Sequence, residues 1–206
     1  MTYFAEQLAE LVFDLEQVKT LASPVRGEVF WTFSGRIPMS AAEVAKEIGK
    51  SPQSVHHHVG ELLKAGLLLA VDERKKHART ETLYVRKGVR CVDRGYKADA
   101  EYLKYRQKAF AATMRILERE SALHFRLVPM KPEIGPYSIY ARSMLYLTAE
   151  EVAELEADFD RLVKKYRGRP IDPALIKVHL VVHLRPTVGT SRKLLADLGE
   201  VDETEE

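Results

Sequence analysis

Cysteine is nearly missing from this chain: Cys91 stands alone among 206 residues, so no internal disulfide can hold the fold together. A lone thiol is what a reducing compartment permits. Also missing is any run approaching the roughly 20 apolar residues that a membrane helix needs, and no charged-then-apolar leader ends in a small-residue cleavage site. These absences predict a soluble, unprocessed, cytoplasmic chain with no membrane partner. The sequence lacks a phosphate-binding Gly-Lys-Ser/Thr loop, a dinucleotide glycine pattern, a nucleophile elbow and a zinc-protease His-Glu-x-x-His, which leaves enzyme chemistry without support. No cofactor is expected.

Net charge is also small, only +2, and would not by itself point to a polyanionic partner. The charge is uneven, however. Residues 50 to 94 hold ten Lys/Arg against five Asp/Glu, whereas residues 200 to 206 hold five acids and no base. The hydrophobic fraction of 46% is enough for a real core, in one large or two small domains.

The most informative block is 40 to 87. Ser40-Ala41-Ala42-Glu43 is a capping box, in which the serine hydroxyl and the glutamate carboxylate satisfy free N–H groups at a helix start. Val44, Ala45 and Ile48 make one apolar face, Gly49 is a stop that tolerates positive φ, and Ser51-Pro52 supplies a new cap with proline at the first helical position. Val55, Val59, Leu62 and Leu63 then share one side of a second helix that Gly66 closes. Two extended runs follow, Leu67 to Val71 and Thr82 to Val85, around a charged stretch from Asp72 to Glu81 expected to form a long wet tip.

These residues resemble the winged-helix repressors of the ArsR type over about residues 21 to 90. The likeness lies in Leu21-Ala22-Ser23-Pro24-Val25-Arg26, in Ala42-Glu43-Val44-Ala45-Lys46-Glu47-Ile48-Gly49, in Ser51 to Val59, and in Leu62-Leu63-Lys64-Ala65-Gly66-Leu67. The resemblance implies a second helix that enters the major groove and a wing that rests on phosphate or the adjacent minor groove. The family's metal-sensing members carry a cysteine pair on that helix or carboxylate and histidine ligands on a dimer helix. This chain has neither pattern, and Cys91 lies after the wing, so no metal site is implied. The fold class expected is α+β: a mainly helical winged helix-turn-helix domain with long dimerisation helices and a small C-terminal α+β unit.

At about 100° per residue, with Val55, Val59 and Leu62 inward, the side chains of Gln53, His57, Gly60 and Lys64 point most directly away. Gln53 suits an adenine edge, His57 guanine acceptors and Lys64 phosphate. Ser51 and Ser54 offer hydroxyls to backbone oxygens at the helix start, and His56 joins the DNA-facing set. Gly60 hints at close approach of another backbone, since glycine costs about 1 kcal/mol in a helix interior. On the wing, Arg74, Lys75, Lys76 and Arg79 are the expected phosphate contacts. The run His56-His57-His58 does not make a metal site, because consecutive helical residues fan apart; His58, beside the apolar face, is expected to be a hydrogen-bonded packing residue. His179 and His183 fall on a β-branched, aliphatic run read as a strand, where they sit about 13 Å apart.

The flanks carry further helices. Residues 3 to 22 place Phe4, Leu8, Leu11, Val12, Leu15, Val18 and Leu21 at near-helical spacing, and such a helix either closes its own domain or packs on a second subunit. Val25 to Phe33 is expected as the first winged-domain helix, with Phe30, Trp31 and Phe33 as bulky anchors. Tyr96 to Ser121 is a long helix with an apolar stripe of Tyr102, Tyr105, Ala109, Ala112, Ile116 and Leu117, matching the dimer helix that the resemblance implies. Leu123 to Val128, Ile139 to Leu147 and Leu175 to Leu184 look extended. Thr148-Ala149-Glu150-Glu151 opens a helix carrying Val152, Leu155, Phe159, Leu162, Val163 and Tyr166 and ending near Gly168 and Pro170. The units are therefore an N-terminal packing helix (1–22), the winged domain (23–90), a linking helix (91–122), a C-terminal α+β unit (123–199) and an acidic tail (200–206). The C-terminal unit is open between dimerising, binding a small-molecule effector and covering the long helix. Its pocket formers, if it takes an effector, are Tyr137, Tyr140, Arg142, Tyr146 and His179.

The function expected is a homodimeric transcriptional regulator of the repressor kind, bound to double-stranded DNA at a pseudo-palindromic operator. The alternative from another class is a winged helix that docks proteins without reading DNA. An enzyme built on the C-terminal unit ranks third.

Overall fold

The computed structural model describes residues 10–76, 79–88, 90–92, 99–133 and 145–166, together with Val178, Leu180 and Val182. Glu10–Val12 form a short strand, β1, in which Leu11 is buried between exposed neighbours. The helix expected over residues 3 to 22 starts only at Leu15, and residues 1–9 lie outside the described set. Asp14 explains the late start. Its carboxylate accepts from the Gln17 N–H at 2.8 Å while the Gln17 side chain accepts from the Asp14 N–H at 3.2 Å, a capping box that opens α1 (Leu15–Leu21). Val18 and Leu21 are buried, and Gln17 Nε2 donates to the Ala65 carbonyl at 3.2 Å. α1 therefore belongs to the core of its own domain.

Ser23 and Pro24 start α2 (Pro24–Thr32), as proline at the first helical position favours. Val29 and Phe30 are fully enclosed and Phe33, at its end, is 1% exposed. Trp31 is not an anchor of the same kind: it is 44% exposed, packs edge-on against Phe30 at 4.9 Å and Phe13 at 6.5 Å, and carries the Arg86 guanidinium over its ring at 5.3 Å.

Met39–Ser40 form β2, and the expected capping box is in place: the Ser40 hydroxyl accepts from the Glu43 N–H at 3.2 Å and the Glu43 carboxylate from the Ser40 N–H at 2.8 Å. It opens α3 (Ala41–Glu47), which buries Val44 and Ala45. Gly49, at φ 67°, makes the tight turn into α4 (Pro52–Lys64), and Gly66, at φ 65°, ends that helix. α2 lies between α4 and the long helix described below, so its buried face serves both.

The ribbon differs from its expected form. β3 spans Leu68–Lys76 and β4 spans Arg79–Arg86, paired antiparallel to the last residue of β3, so the charged stretch is strand and only 77–78, outside the described set, separate the two. Charge forbids burial, not pairing: Arg74 stands opposite Glu81 with their side chains 2.9 Å apart, and Lys76 pairs opposite Arg79 at the ribbon's end, where it stays exposed to solvent. β2 pairs with β4, which seats the ribbon on the start of α3.

β5 (Arg90–Val92) returns beside β1 in parallel register, Leu11 opposite Cys91. Asp99 then caps α5 (Ala100–Leu127), which starts at Ala100 rather than at the expected Tyr96, itself outside the described residues, and runs past Ser121. The strand expected over Leu123 to Val128 is thus helix. An alternating apolar pattern is overridden because adding a residue to an existing helix is cheap compared with starting a new element. Tyr102 is buried, its hydroxyl donating to the Phe13 carbonyl at 3.4 Å, while Tyr105 and Ala109 pack against the same core. Leu11 is 8% exposed in that core, so of the two readings of the N-terminal stripe it closes its own domain, and Tyr105, at the start of the α5 stripe, packs on the same core.

Thr148 caps α6 (Ala149–Lys164), with the expected capping box to Glu151; the helix ends before Gly168 and Pro170, and none of its residues is buried. By contacts the chain divides into units Met1–Pro170 and Ile171–Glu206. Of the second unit only Val178, Leu180 and Val182 are described, all exposed, and the strand expected over 175 to 184 otherwise lies outside the described residues. Residues 139–144 of the strand expected to end at Leu147 are outside it too, and 145–147 are not strand. No helix among the described residues is long and apolar enough to cross a membrane.

Leu21→Ala should cost about 2 to 5 kcal/mol of unfolding free energy. Denaturant melts at several protein concentrations check the placement of α1: a loss that varies with concentration would put Leu21 in a subunit interface. His58 offers a second measurement. Its Nδ1 is buried without a hydrogen-bond partner among the described residues, contrary to the expectation of a hydrogen-bonded packing residue, and burial, then the nearby His57, Arg26 and Lys50, holds its pKa below the ordinary 6.5. Because the unfolded chain takes the proton first, the stability contributed by neutral His58 is complete above about pH 6.5 and is lost as pH falls through the lower folded value. His58→Gln should flatten the decline in melting temperature that sets in below about pH 6.5; an unchanged slope would remove His58 as its source.

Candidate nucleic-acid interface

α4 is built to turn one face outward. Val55 and Leu62 are fully buried and Val59 is 1% exposed, which anchors the helix rotation. Gln53, His57 and Lys64 are exposed on the opposite side, His56 is exposed on the flank, and Ser54 and Gly60 are half-buried. Ser51 is exposed, but its hydroxyl is occupied as the helix cap, accepting from the Ser54 N–H at 3.2 Å. A Cβ added at Gly60 meets nothing within 4 Å among the described residues. The close approach inferred from that glycine is therefore not made by any backbone described here. Lys64 bonds Glu61 at 2.8 Å, which partly neutralises it one turn from the helix end.

The wing places its bases unequally. Arg74 is held by two carboxylates, Glu81 at 2.9 Å across the ribbon and Glu43 at 3.0 Å on α3. Their hydrogen bonds raise its pKa. Burial pushes the Glu43 carboxyl up, but the Ser40 N–H and Arg74 bonds outweigh it and the net shift is down. Arg74, expected as a phosphate contact, is therefore the brace between wing and α3. Lys76 lies 3.9 Å from Glu81, a loose pair, and Lys75 is exposed with no ion pair among the described residues. Arg79 stands opposite Lys76 in the ladder, and its side chain lies outside the described set.

One cluster at this interface had no sequence signal beyond a single acid in an apolar helix. Glu28 on α2 is 8% exposed and is bonded by Arg119 of α5, with Lys50 Nζ at 3.7 Å. Lys50 directly precedes the α4 cap. The buried carboxylate thus ties the turn of the helix pair to the long helix, a contact between segments too far apart in sequence for any local rule to reveal.

Of the effector residues, Tyr137, Tyr140, Arg142 and His179 lie outside the described residues, and Tyr146 is 93% exposed. Among the described residues no pocket wall surrounds it.

Residues 21–71 match the family model of a helix-turn-helix domain. No curated protein matches. Among solved structures, the multiple antibiotic-resistance repressor MarR of Listeria monocytogenes 4b F2365 aligns over 73% of this chain and 74% of its own, at 11% identity and a TM-score of 0.24, too low to define a shared fold. The match to the family model covers α2, α3 and α4 and stops inside the ribbon, so model and geometry agree: this chain contains a winged helix-turn-helix domain.

Proposed function

We propose that this chain is a DNA-binding transcriptional regulator that represses by occupying a pseudo-palindromic operator as a homodimer. The observation that carries the reading is α4: a helix rotated by three buried apolar residues so that Gln53, His56 and His57 stand exposed, beside a ribbon with an exposed basic end. The helix-turn-helix match over residues 21–71 supports it. Gln53 and His57 read base edges, Ser54, Lys50 and Lys75 meet phosphate, and the bare Gly60 lets α4 sit close to the duplex. Two copies related by a two-fold axis put their reading helices about 34 Å apart, one turn of DNA. Arg74 keeps the wing at a set angle to α3 and so governs where Lys75 and Lys76 fall.

Selection of bound sequences from a random duplex pool with the purified protein tests this directly. An inverted repeat with half-sites about 10 base pairs apart is expected; enrichment of no motif would leave the protein-docking alternative in its place. With the motif in hand, Gln53→Ala and His57→Ala should each lose about 1 to 3 kcal/mol of preference for it over scrambled duplex while non-specific binding stays. Equal ratios for mutants and wild type would remove both as base readers.

The wing behaves differently. Lys75→Gln with Lys76→Gln should weaken specific and non-specific binding together and reduce the salt slope by about two phosphate contacts' worth. A slope that does not move means the ribbon end stays off the DNA.

A further inference from the structure

One buried carboxylate in the winged domain is shared by two cations, and it holds them unequally. Glu28 on α2 accepts a charge-assisted hydrogen bond at Oε1 from the Arg119 guanidinium of α5, while Lys50 Nζ lies 3.7 Å from Oε2, within ion-pair range but beyond a hydrogen bond. Among the described residues these are the two cations that reach that carboxylate. The Lys50 backbone is pinned: its N–H donates to the Ala45 carbonyl at 2.9 Å, directly after the left-handed Gly49, and the next residue, Ser51, caps α4. The main chain is thus fixed at the start of the reading helix. Only the ammonium, on its flexible four-carbon stem, is left to choose between Glu28 and an anion outside.

We propose that Arg119 is a positioning residue for a phosphate contact made by Lys50: by neutralising Glu28 it leaves the Lys50 ammonium free to turn to the duplex. This rests on the DNA-binding reading above and adds a control on one of its contacts. A carboxylate that is 8% exposed does not stay without a counter-charge, because water cannot reach it well enough to solvate it. With Arg119 bonded, one cation already meets that demand, and Lys50 leaves at little cost. Without Arg119 the demand falls on Lys50, which closes from 3.7 Å into a hydrogen bond and is lost to phosphate. Arg119 stands on α5, outside the helix pair and the ribbon, so its effect on DNA is exerted through the carboxylate rather than by touch. The linkage is reciprocal, since phosphate that draws Lys50 away leaves Glu28 to Arg119 alone.

Limited acetylation of the full-length chain, with Lys50 scored by peptide mass against the exposed Lys75, and salt titrations of duplex binding test this together. R119Q should slow labelling of Lys50 about threefold or more and E28Q should speed it about twofold, with E28Q/R119Q behaving like E28Q. On duplex, R119Q and K50Q should each lower affinity and flatten the logarithmic salt slope by about one phosphate contact, and K50Q/R119Q should lose no more than K50Q. E28Q/R119Q should recover the wild-type slope, because with no carboxylate to answer Lys50 is free again. Unchanged labelling of Lys50 in R119Q, or a slope that stays flattened in E28Q/R119Q, would overturn the proposal, the second outcome placing Arg119 itself on phosphate. A lower melting temperature with the slope intact would also overturn it, by reducing Arg119 to a structural support. If R119Q does not fold, E28Q decides alone: labelling of Lys50 at the wild-type rate means that Glu28 does not hold the ammonium, and the inference falls. A wild type that ignores duplex at every salt concentration sinks the regulator instead, while the labelling, which needs no DNA, still shows whether Arg119 keeps Lys50 off Glu28.

Discussion

Burial of α2 is the constraint on which the winged domain depends. Val29 and Phe30 are fully enclosed, and the helix is short enough that one face must serve α4 on one side and α1 and α5 on the other. Each large aromatic removed from water here contributes on the order of a few kcal/mol, so the orientations of all three neighbours follow from filling the space around one helix. The rotation of α4, and with it the identity of its outward face, is a consequence of that packing.

Polar contacts then set angles that apolar packing leaves loose. Gln17 fastens α1 to the end of α4, Arg74 fastens the ribbon to α3, and Glu28 fastens both the turn before α4 and the long helix. A carboxylate that is 8% exposed would be costly alone, and two cations offset the cost of its desolvation. All three contacts terminate on, or next to, the elements expected to meet DNA. The outward face of α4 itself is built the other way: among the described residues few bonds hold its side chains, and Gln53 and His57 stand exposed.

Composition and charge pointed in the same direction more weakly. A net charge of +2 says little, but the basic excess of residues 50 to 94 falls on the turn, α4 and the ribbon, and several of those bases proved to be spoken for by acids of the same chain. Formal charge therefore overstates the free positive surface, with Lys75 the wing base left without an ion pair among the described residues.

Legibility from sequence followed range of interaction. The capping boxes at Ser40 and Thr148, the Ser51-Pro52 start, the stops at Gly49 and Gly66 and the inward set Val55, Val59 and Leu62 were all readable, because each is decided within a turn or two of helix. Asp14-Leu15-Glu16-Gln17 was equally local and was masked by an apolar spacing that looked helical through Leu11. Only the tertiary structure decided that Leu11 pairs with Cys91 as strand, that Glu81 lets the ribbon carry Arg74 as a paired residue, and that α1 and Tyr105 close their own domain. Those outcomes join residues distant along the chain, where the gain from a contact depends on what folding brings opposite, and no local pattern encodes that.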